Sequence, residues 1–169
     1  MDVVIQDNIK KTSKIYLIIK RVFDFISATA VLIILSPVFL IIAALIKRED
    51  GGKILDVQNR VGKNGKPLGI YKFRSMKENA DKLEDFLTPE ELEEYKINFK
   101  LDNDRRITKI GNFLRKSSLD ELPQLLNIIK GEMSVVGPRP VLQEETLLYG
   151  DDRDKLLSVK PGLTGYWQG

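Results

Sequence analysis

Neither cysteine nor histidine occurs in this chain of 169 residues. Without cysteine there is no disulfide framework and no thiolate metal site. Without histidine, the commonest general base and the commonest transition-metal ligand are both missing. Acid–base or nucleophilic chemistry must then come from carboxylates, lysines, tyrosines or hydroxyls. A bound metal must be a hard, oxygen-liking ion such as Mg²⁺. A strong charge of one sign is also lacking, because 27 Lys and Arg face 24 Asp and Glu, for a net charge of +3. That balance gives no electrostatic case for a nucleic-acid partner. Repeats and low-complexity linkers are absent, and the length suits one domain of ordinary size plus an attachment segment.

A long hydrophobic run is present. Phe25 to Ile46 carries no charge and spans about 22 residues, or roughly 33 Å as straight helix, close to the thickness of a hydrocarbon core. It is too long for the apolar part of a secretory signal, and no small-residue cleavage site follows it. A single span and a buried pair of core helices are the plain readings. Ser36-Pro37 interrupts the middle, however. Pro37 lacks an N–H and clashes with the carbonyl four residues back, while Ser36 can bond the carbonyl that is freed. Lys10, Lys11, Lys14, Lys20 and Arg21 precede the run, and Lys47 and Arg48 follow it. Positive flanks at both ends place both on the cytoplasmic side. A straight span cannot satisfy that, so the expectation is a re-entrant helix–break–helix over residues 1–48, followed by a cytoplasm-facing domain over 49–169.

Downstream, the pattern is α/β, with short strands and many helices laid against a membrane surface. Residues 54–58 and 69–76 read as strands around a Gly/Pro/Asn loop at 61–69, and alternation puts Ile70, Lys72 and Arg74 on one face. Lys77 to Phe86 reads as a polar helix. A second helix starts at Thr88-Pro89-Glu90-Glu91, with Thr88 as cap, Pro89 in the first position and Glu91 completing a capping box. Residues 102–109 form a charged connector. Asn112 to Lys116 reads as a helix, as does Ser118 to Lys130, which Gly131 stops. Residues 134–140 form a buried strand running into a stiff turn, with helix again at 141–149.

The densest chemistry lies in "LRKSSLDELPQLLNIIKGEMS" (114–134). Ser118-Leu119-Asp120-Glu121 matches a capping box, which is the plain reading. Pro123 sits awkwardly for a helix begun at Ser118; a helix begun at Pro123 instead leaves the carboxylates on an irregular rim. Both starts remain open. In either, adjacent Asp120 and Glu121 with Arg115 and Lys116 nearby make a candidate Mg²⁺–phosphate site. Lys72 and Arg74 on their strand, and Arg139 held between Pro138 and Pro140, are further candidates for a polyphosphate ligand, each with solvated surface charge as its plain alternative.

These segments carry a family resemblance. "KRVFDFISATAVLIILSP" (20–37), "RVGKNGKP" (60–67), "IYKFRSM" (70–76), "FLRKSSLDELPQLLNIIKGEMSVVGPRP" (113–140) and "VKPGLTGYWQ" (159–168) resemble, in order and spacing, the bacterial sugar transferases, the monotopic phosphoglycosyl transferases. The match runs from about Ile15 onward, and the block at 114–140 is highly specific. The resemblance implies an enzyme of the bacterial inner membrane, its catalytic domain on the cytoplasmic face and its re-entrant helix broken at Ser36 and Pro37. It implies transfer of a sugar 1-phosphate from a UDP-sugar to polyprenyl (undecaprenyl) phosphate, with release of UMP. Asp120 and Glu121 are then the catalytic pair, with Asp120 as nucleophile and metal ligand and Mg²⁺ (or Mn²⁺) as cofactor. Lys72, Arg74 and Arg115 are phosphate-binding candidates, and Pro138, Arg139 and Pro140 are candidates for the uridine side. Membrane lipid is an expected partner and a homo-oligomer is left open. Relatives continue past "GYWQ" with further helix and basic residues, a tail not found before Gly169. A membrane-anchored adaptor for anionic lipid and a lipid-linked phosphatase are the alternatives, and neither accounts as well for Asp120-Glu121 together with "GPRP".

Overall fold

The computed structural model describes residues 13–98, 101 and 104–165. Lys10 and Lys11 of the basic flank, Asp102 and Asn103 of the connector, and the end of the "GYWQ" motif lie outside the described residues. The apolar run forms two helices, α1 (Lys14–Ile34) and α2 (Ser36–Asp50). They are bent by 61° at the break, and no single helix among the described residues is long and apolar enough to cross a membrane. The cause of the bend is local. Pro37 cannot donate to the carbonyl of Ile33, and the Ser36 hydroxyl takes that carbonyl instead at 2.8 Å. Helix α2 closes on Gly51 in the left-handed region (φ 72), whose N–H returns to the carbonyl of Lys47.

One face of this bent pair belongs to the protein core. Ala28 and Leu32 pack with Leu68, Ile70, Leu125, Ile128 and Met133, and Ile42 and Ile46 pack with Phe73 and Leu114. Phe39 touches both clusters, its ring 5.2 Å from that of Phe73. The other face stays uncovered, with Ile34 72% and Leu40 73% exposed on either side of the break. A buried pair of core helices in a water-soluble protein has no reason to leave that tip bare.

Polar side chains fasten α1 to the domain along the row continued by Ala28 and Leu32, since residues four apart share a helix face. Arg21 donates to the carbonyls of Ile128 (2.6 Å) and Ile129 (2.7 Å). Buried Asp24 accepts from Ser134 Oγ (2.8 Å) and from the N–H of Val135 (3.1 Å), and Lys20 donates to Ser134 Oγ. The basic flank is therefore partly structural: Lys20 and Arg21 hold the domain as well as carrying charge.

Strands β1 (Leu55–Val61) and β2 (Pro67–Phe73) form an antiparallel hairpin in which Leu55 faces Phe73 and Val61 faces Pro67. Its tip needs Asn64 at φ 58 and Gly65 at φ 72. Among the described residues the outer edge of β2 has no strand partner. There the carboxamide of Asn127, fully buried, accepts from the N–H of Tyr71 (3.0 Å) and donates to the carbonyl of Gly69 (2.8 Å), as a neighbouring strand would.

Several sequence expectations shift. Lys77 to Phe86 is not a helix but a series of turns with a 3₁₀ turn at Leu83–Asp85. Its apolar residues are too few to give a buried stripe, and so short a helix is not stable alone. Helix α3 (Pro89–Asn98) has the expected box: Glu91 Oε2 accepts from the N–H of Thr88 and Thr88 Oγ1 from that of Glu91. Helix α4 (Lys109–Lys116) starts earlier than Asn112 because Thr108 caps it, accepting from the N–H of Gly111 at 2.9 Å. Residues 134–140 pair only over β3 (Ser134–Val136), parallel to β4 (Gly162–Thr164), and Val136 is exposed. The segment 141–149 is not an α-helix: Glu145 bonds back to the N–H of Leu142, and a 3₁₀ stretch (Glu145–Asp152) follows, interrupted at Gly150. A short helix, Arg153–Leu157, precedes β4.

Candidate active site

The path through Ser118 to Glu121 decides the site. Ser118 takes the left-handed conformation (φ 56) and its side chain makes no capping hydrogen bond. The capping box does not form, and the expected helix from Ser118 to Lys130 is two pieces. A 3₁₀ turn at Leu119–Glu121 leads to Pro123, which starts α5 (Gln124–Lys130). Pro123 stands at the N-cap, where its missing amide donor costs no intrahelical hydrogen bond. Asp120 and Glu121 are thereby left on the irregular rim, free of capping duty.

Strand β2 brings Lys72 to both. Its ammonium lies 2.7 Å from Glu121 Oε1 and 3.8 Å from Asp120 Oδ2. Asp120 is only 8% exposed. Desolvation raises its carboxyl pKa above the ordinary value and the Glu121 charge adds to that, while Lys72 and Arg115 oppose it. A poorly solvated carboxylate beside cations is reactive as a nucleophile and well matched to a ligand bringing further positive charge.

Arg115 is placed by α4, whose own position depends on Gly111. A Cβ there would come within 1.9 Å of the Ser75 carbonyl oxygen, so only glycine lets the helix sit against the end of β2. Arg115 then donates through Nε to Ser75 Oγ at 2.8 Å. Arg74 departs from the face expected of it. The strand ends at Phe73, so alternation does not carry to residue 74, and the Arg74 guanidinium pairs with Asp50 at the end of α2. Among the described residues Arg74 makes no ion pair with Asp120 or Glu121.

Arg60 was missed. It lies on the same face of the hairpin as Lys72, since directly opposed residues share a face and Asp56 pairs with Lys72. Burial lowers its pKa and the Arg139 guanidinium lowers it further, while Glu145 and Glu121 pull it up. Arg60 thus lies in the fields of both Glu121 on the carboxylate rim and Arg139 in the "GPRP" turn. The available signal was its place at the head of the "RVGKNGKP" motif. The turn itself is braced from behind: Gly162 donates to the carbonyl of Pro138 at 2.8 Å, Gly137 donates to that of Thr164 at 3.0 Å, and Val61 donates to that of Val141 at 2.9 Å. Pro138 and exposed Arg139 line a narrow slot with Gly62 and Leu157, and Pro140 completes the turn.

Among the described residues no group of three or more Asp and Glu gathers as an all-protein metal cage. The pair at Asp120 and Glu121 still fits Mg²⁺, which commonly binds through one or two carboxylates and takes its other oxygens from substrate phosphates and water.

Comparison with known proteins gives this arrangement a context. The family description "Bacterial sugar transferase" matches residues 15–169. The exopolysaccharide production protein ExoY of Rhizobium meliloti is 51% identical over 152 residues, covering 88% of this chain and 67% of that protein. An undecaprenyl-phosphate galactose phosphotransferase of Salmonella typhimurium is 46% identical over 167 residues, covering 97% of this chain and 34% of that protein. A UDP-N-acetylgalactosamine-undecaprenyl-phosphate N-acetylgalactosaminephosphotransferase of Aeromonas hydrophila is 38% identical over 161 residues, covering 92% of this chain and 35% of that protein. The chain thus spans about a third of the length of these last two relatives.

Proposed function

The chain belongs to the bacterial sugar transferase family, and from that premise we propose that it is a phosphoglycosyl transferase moving a sugar 1-phosphate from a UDP-sugar to polyprenyl phosphate. The observation that carries this reading is the nearly buried Asp120 beside Glu121, within 3.8 Å of Lys72 and in the field of Arg115. Phosphoryl transfer needs placement and charge neutralisation more than any special group, and this cluster supplies both without histidine.

In the proposed chemistry an Asp120 carboxylate oxygen attacks the phosphorus that bears the sugar. The bond to the bridging diphosphate oxygen breaks, and UMP leaves with the electron pair. The acyl phosphate left on Asp120 stays reactive, so a phosphate oxygen of the lipid attacks the same phosphorus and displaces the carboxylate. The product is a polyprenyl diphosphate sugar. Lys72 and Arg115 steady the phosphoryl oxygens, Arg60 and Arg139 receive the nucleotide side, and Glu121 holds Lys72 in place. Mg²⁺ bound through Asp120 and Glu121 would supply neutralisation of the diphosphate charge. EDTA is expected to abolish turnover, with Mg²⁺ or Mn²⁺ restoring it; full turnover in chelator would remove the metal from this account. Products separate the rival readings. A UDP-sugar panel offered with polyprenyl phosphate should release UMP, whereas inorganic phosphate would mark a phosphatase and no product an adaptor.

The bent pair of α1 and α2 is proposed to enter the bilayer and return, placing residues 49–169 on the cytoplasmic face of the membrane. The 61° bend and the bare apolar tip support this. Cysteines replacing Ser13 and Lys53, both exposed, should react alike with an impermeant reagent in intact cells. Opposite accessibility would mean a single span. Replacing Ser36 and Pro37 with Ala and Leu removes the break and should shift the chain toward spanning.

A further inference from the structure

A second charged feature lies at the other end of α5 from the carboxylates. A cavity of about 330 Å³ opens there between the hairpin tip and the α5 C-terminus, lined among others by Lys63, Asn64, Lys66, Gly131, Glu132 and Lys160. Lys63, Lys66 and Lys160 have no carboxylate within 4.0 Å among the described residues. Asp24 is taken by Ser134 and Val135, and Glu132, which accepts from Asn127 Nδ2 at 2.8 Å, is the one carboxylate among the lining residues, against three lysines. Behind the cavity stands Arg21, whose guanidinium lies 3.2 Å from where a Cβ on Gly131 would be.

The geometry points to a binding site for a lipid phosphate head group, held by Lys63, Lys66 and Lys160 at the junction of the anchor helix with the catalytic layer. Like charges gathered around a partly enclosed space repel one another, and an anion between them removes that penalty. Lys160 records the strain, its pKa lowered by burial first and then by Arg21, Lys63 and Lys20, against the single opposing pull of Asp24. Phosphate chemistry matches several ammonium donors converging on one group. The lipid origin follows from the neighbouring helix: α1, which carries Arg21, leaves Ile18 exposed on that side and Ile19, Val22 and Phe23 exposed around the rest of its turn. An anionic head in the cavity would leave its chains against that apolar surface. This site draws on the membrane seating of α1 proposed above, and not on the carboxylate chemistry.

The test uses the full chain in detergent, with native mass spectrometry reading retained lipid and no sugar donor present. Phosphatidylglycerol should be retained at least tenfold more by the wild type than by the triple variant Lys63→Gln, Lys66→Gln, Lys160→Gln. Zwitterionic phosphatidylcholine should not distinguish them. Because Lys63 and Lys160 are both half-buried, the single variant Lys66→Gln, at an exposed position, gives a version free of folding effects and should lose at least threefold. Lys155→Gln, exposed and outside the cavity, should retain lipid as the wild type does. Displacement by millimolar inorganic phosphate would assign the site to any phosphate group, and lysine-dependent retention without displacement would assign it to the lipid-borne one. Equal retention by wild type and both cavity variants, equal loss in Lys155→Gln, or no retention at all overturns the site. None of these outcomes bears on UMP release, so the transferase reading stands or falls separately.

Discussion

Asp120→Asn is expected to abolish turnover while leaving the chain at least as stable as the wild type at neutral pH. With a UDP-sugar alone, the wild type should release about one UMP per active site and then stop until polyprenyl phosphate is added, as a covalent intermediate requires. The variant should show no burst, and turnover should fall by about three orders of magnitude or more, the scale on which removal of a reacting group acts. Stability should move the other way. Desolvation raises the Asp120 pKa in the folded chain. Between the unfolded value and that raised value the folded state holds more protons, so stability falls as pH rises through this window. Above it the full penalty of a buried charge remains, and Asn does not carry it. Urea denaturation should therefore favour Asp120→Asn at pH 7, the difference closing as the pH drops through the window. Near-normal turnover in folded Asp120→Asn, or UMP release only when both substrates are present, would replace the covalent path with direct attack by the lipid phosphate.

Asn127→Leu is expected to destabilise the fold strongly. The shapes are similar, but leucine leaves the N–H of Tyr71 and the carbonyl of Gly69, in half-buried residues, without their partner, at about 1–3 kcal/mol each. A loss of about 2–6 kcal/mol is a large share of the stability of a domain this size. Asn127→Asp keeps the acceptor for Tyr71 but cannot donate to Gly69, and it sets a second carboxylate against Glu132. It should be destabilising as well. The hairpin carries Lys72 and Arg60, so KM for the donor should rise before the fold is lost. Urea midpoints near wild type in Asn127→Leu would mean that water can close the β2 edge, and that Asn127 is no clamp.

How far the sequence was legible varies by element, and the reason is physical each time. The break at Ser36-Pro37 was readable because proline acts on its own helix: the missing donor frees one carbonyl, and the adjacent hydroxyl reaches it. The Thr88–Glu91 box was readable because its two bonds lie within four residues. Ser118–Glu121 has the same pattern and makes no such bond, since Pro123 and the packing of α5 set a different start. Lys77 to Phe86 failed for want of an apolar stripe to bury. Arg74 was placed with Lys72 by an alternation that holds only inside the strand, and the strand stops one residue short of it.

By itself, then, the sequence determined the chemistry available: no histidine, no cysteine, an Asp-Glu pair, scattered cations, and an apolar run with a built-in bend. Those follow from residue identity and from interactions spanning only a few positions. Which cations meet the carboxylates was decided by the tertiary structure. The hairpin register brings Arg60 and Lys72 to one face, Asp50 pairs with Arg74, and Arg21 and Asp24 join α1 to the ends of α5 and β3. These contacts join residues tens of positions apart, so their geometry depends on how whole elements pack, and no local pattern encodes that.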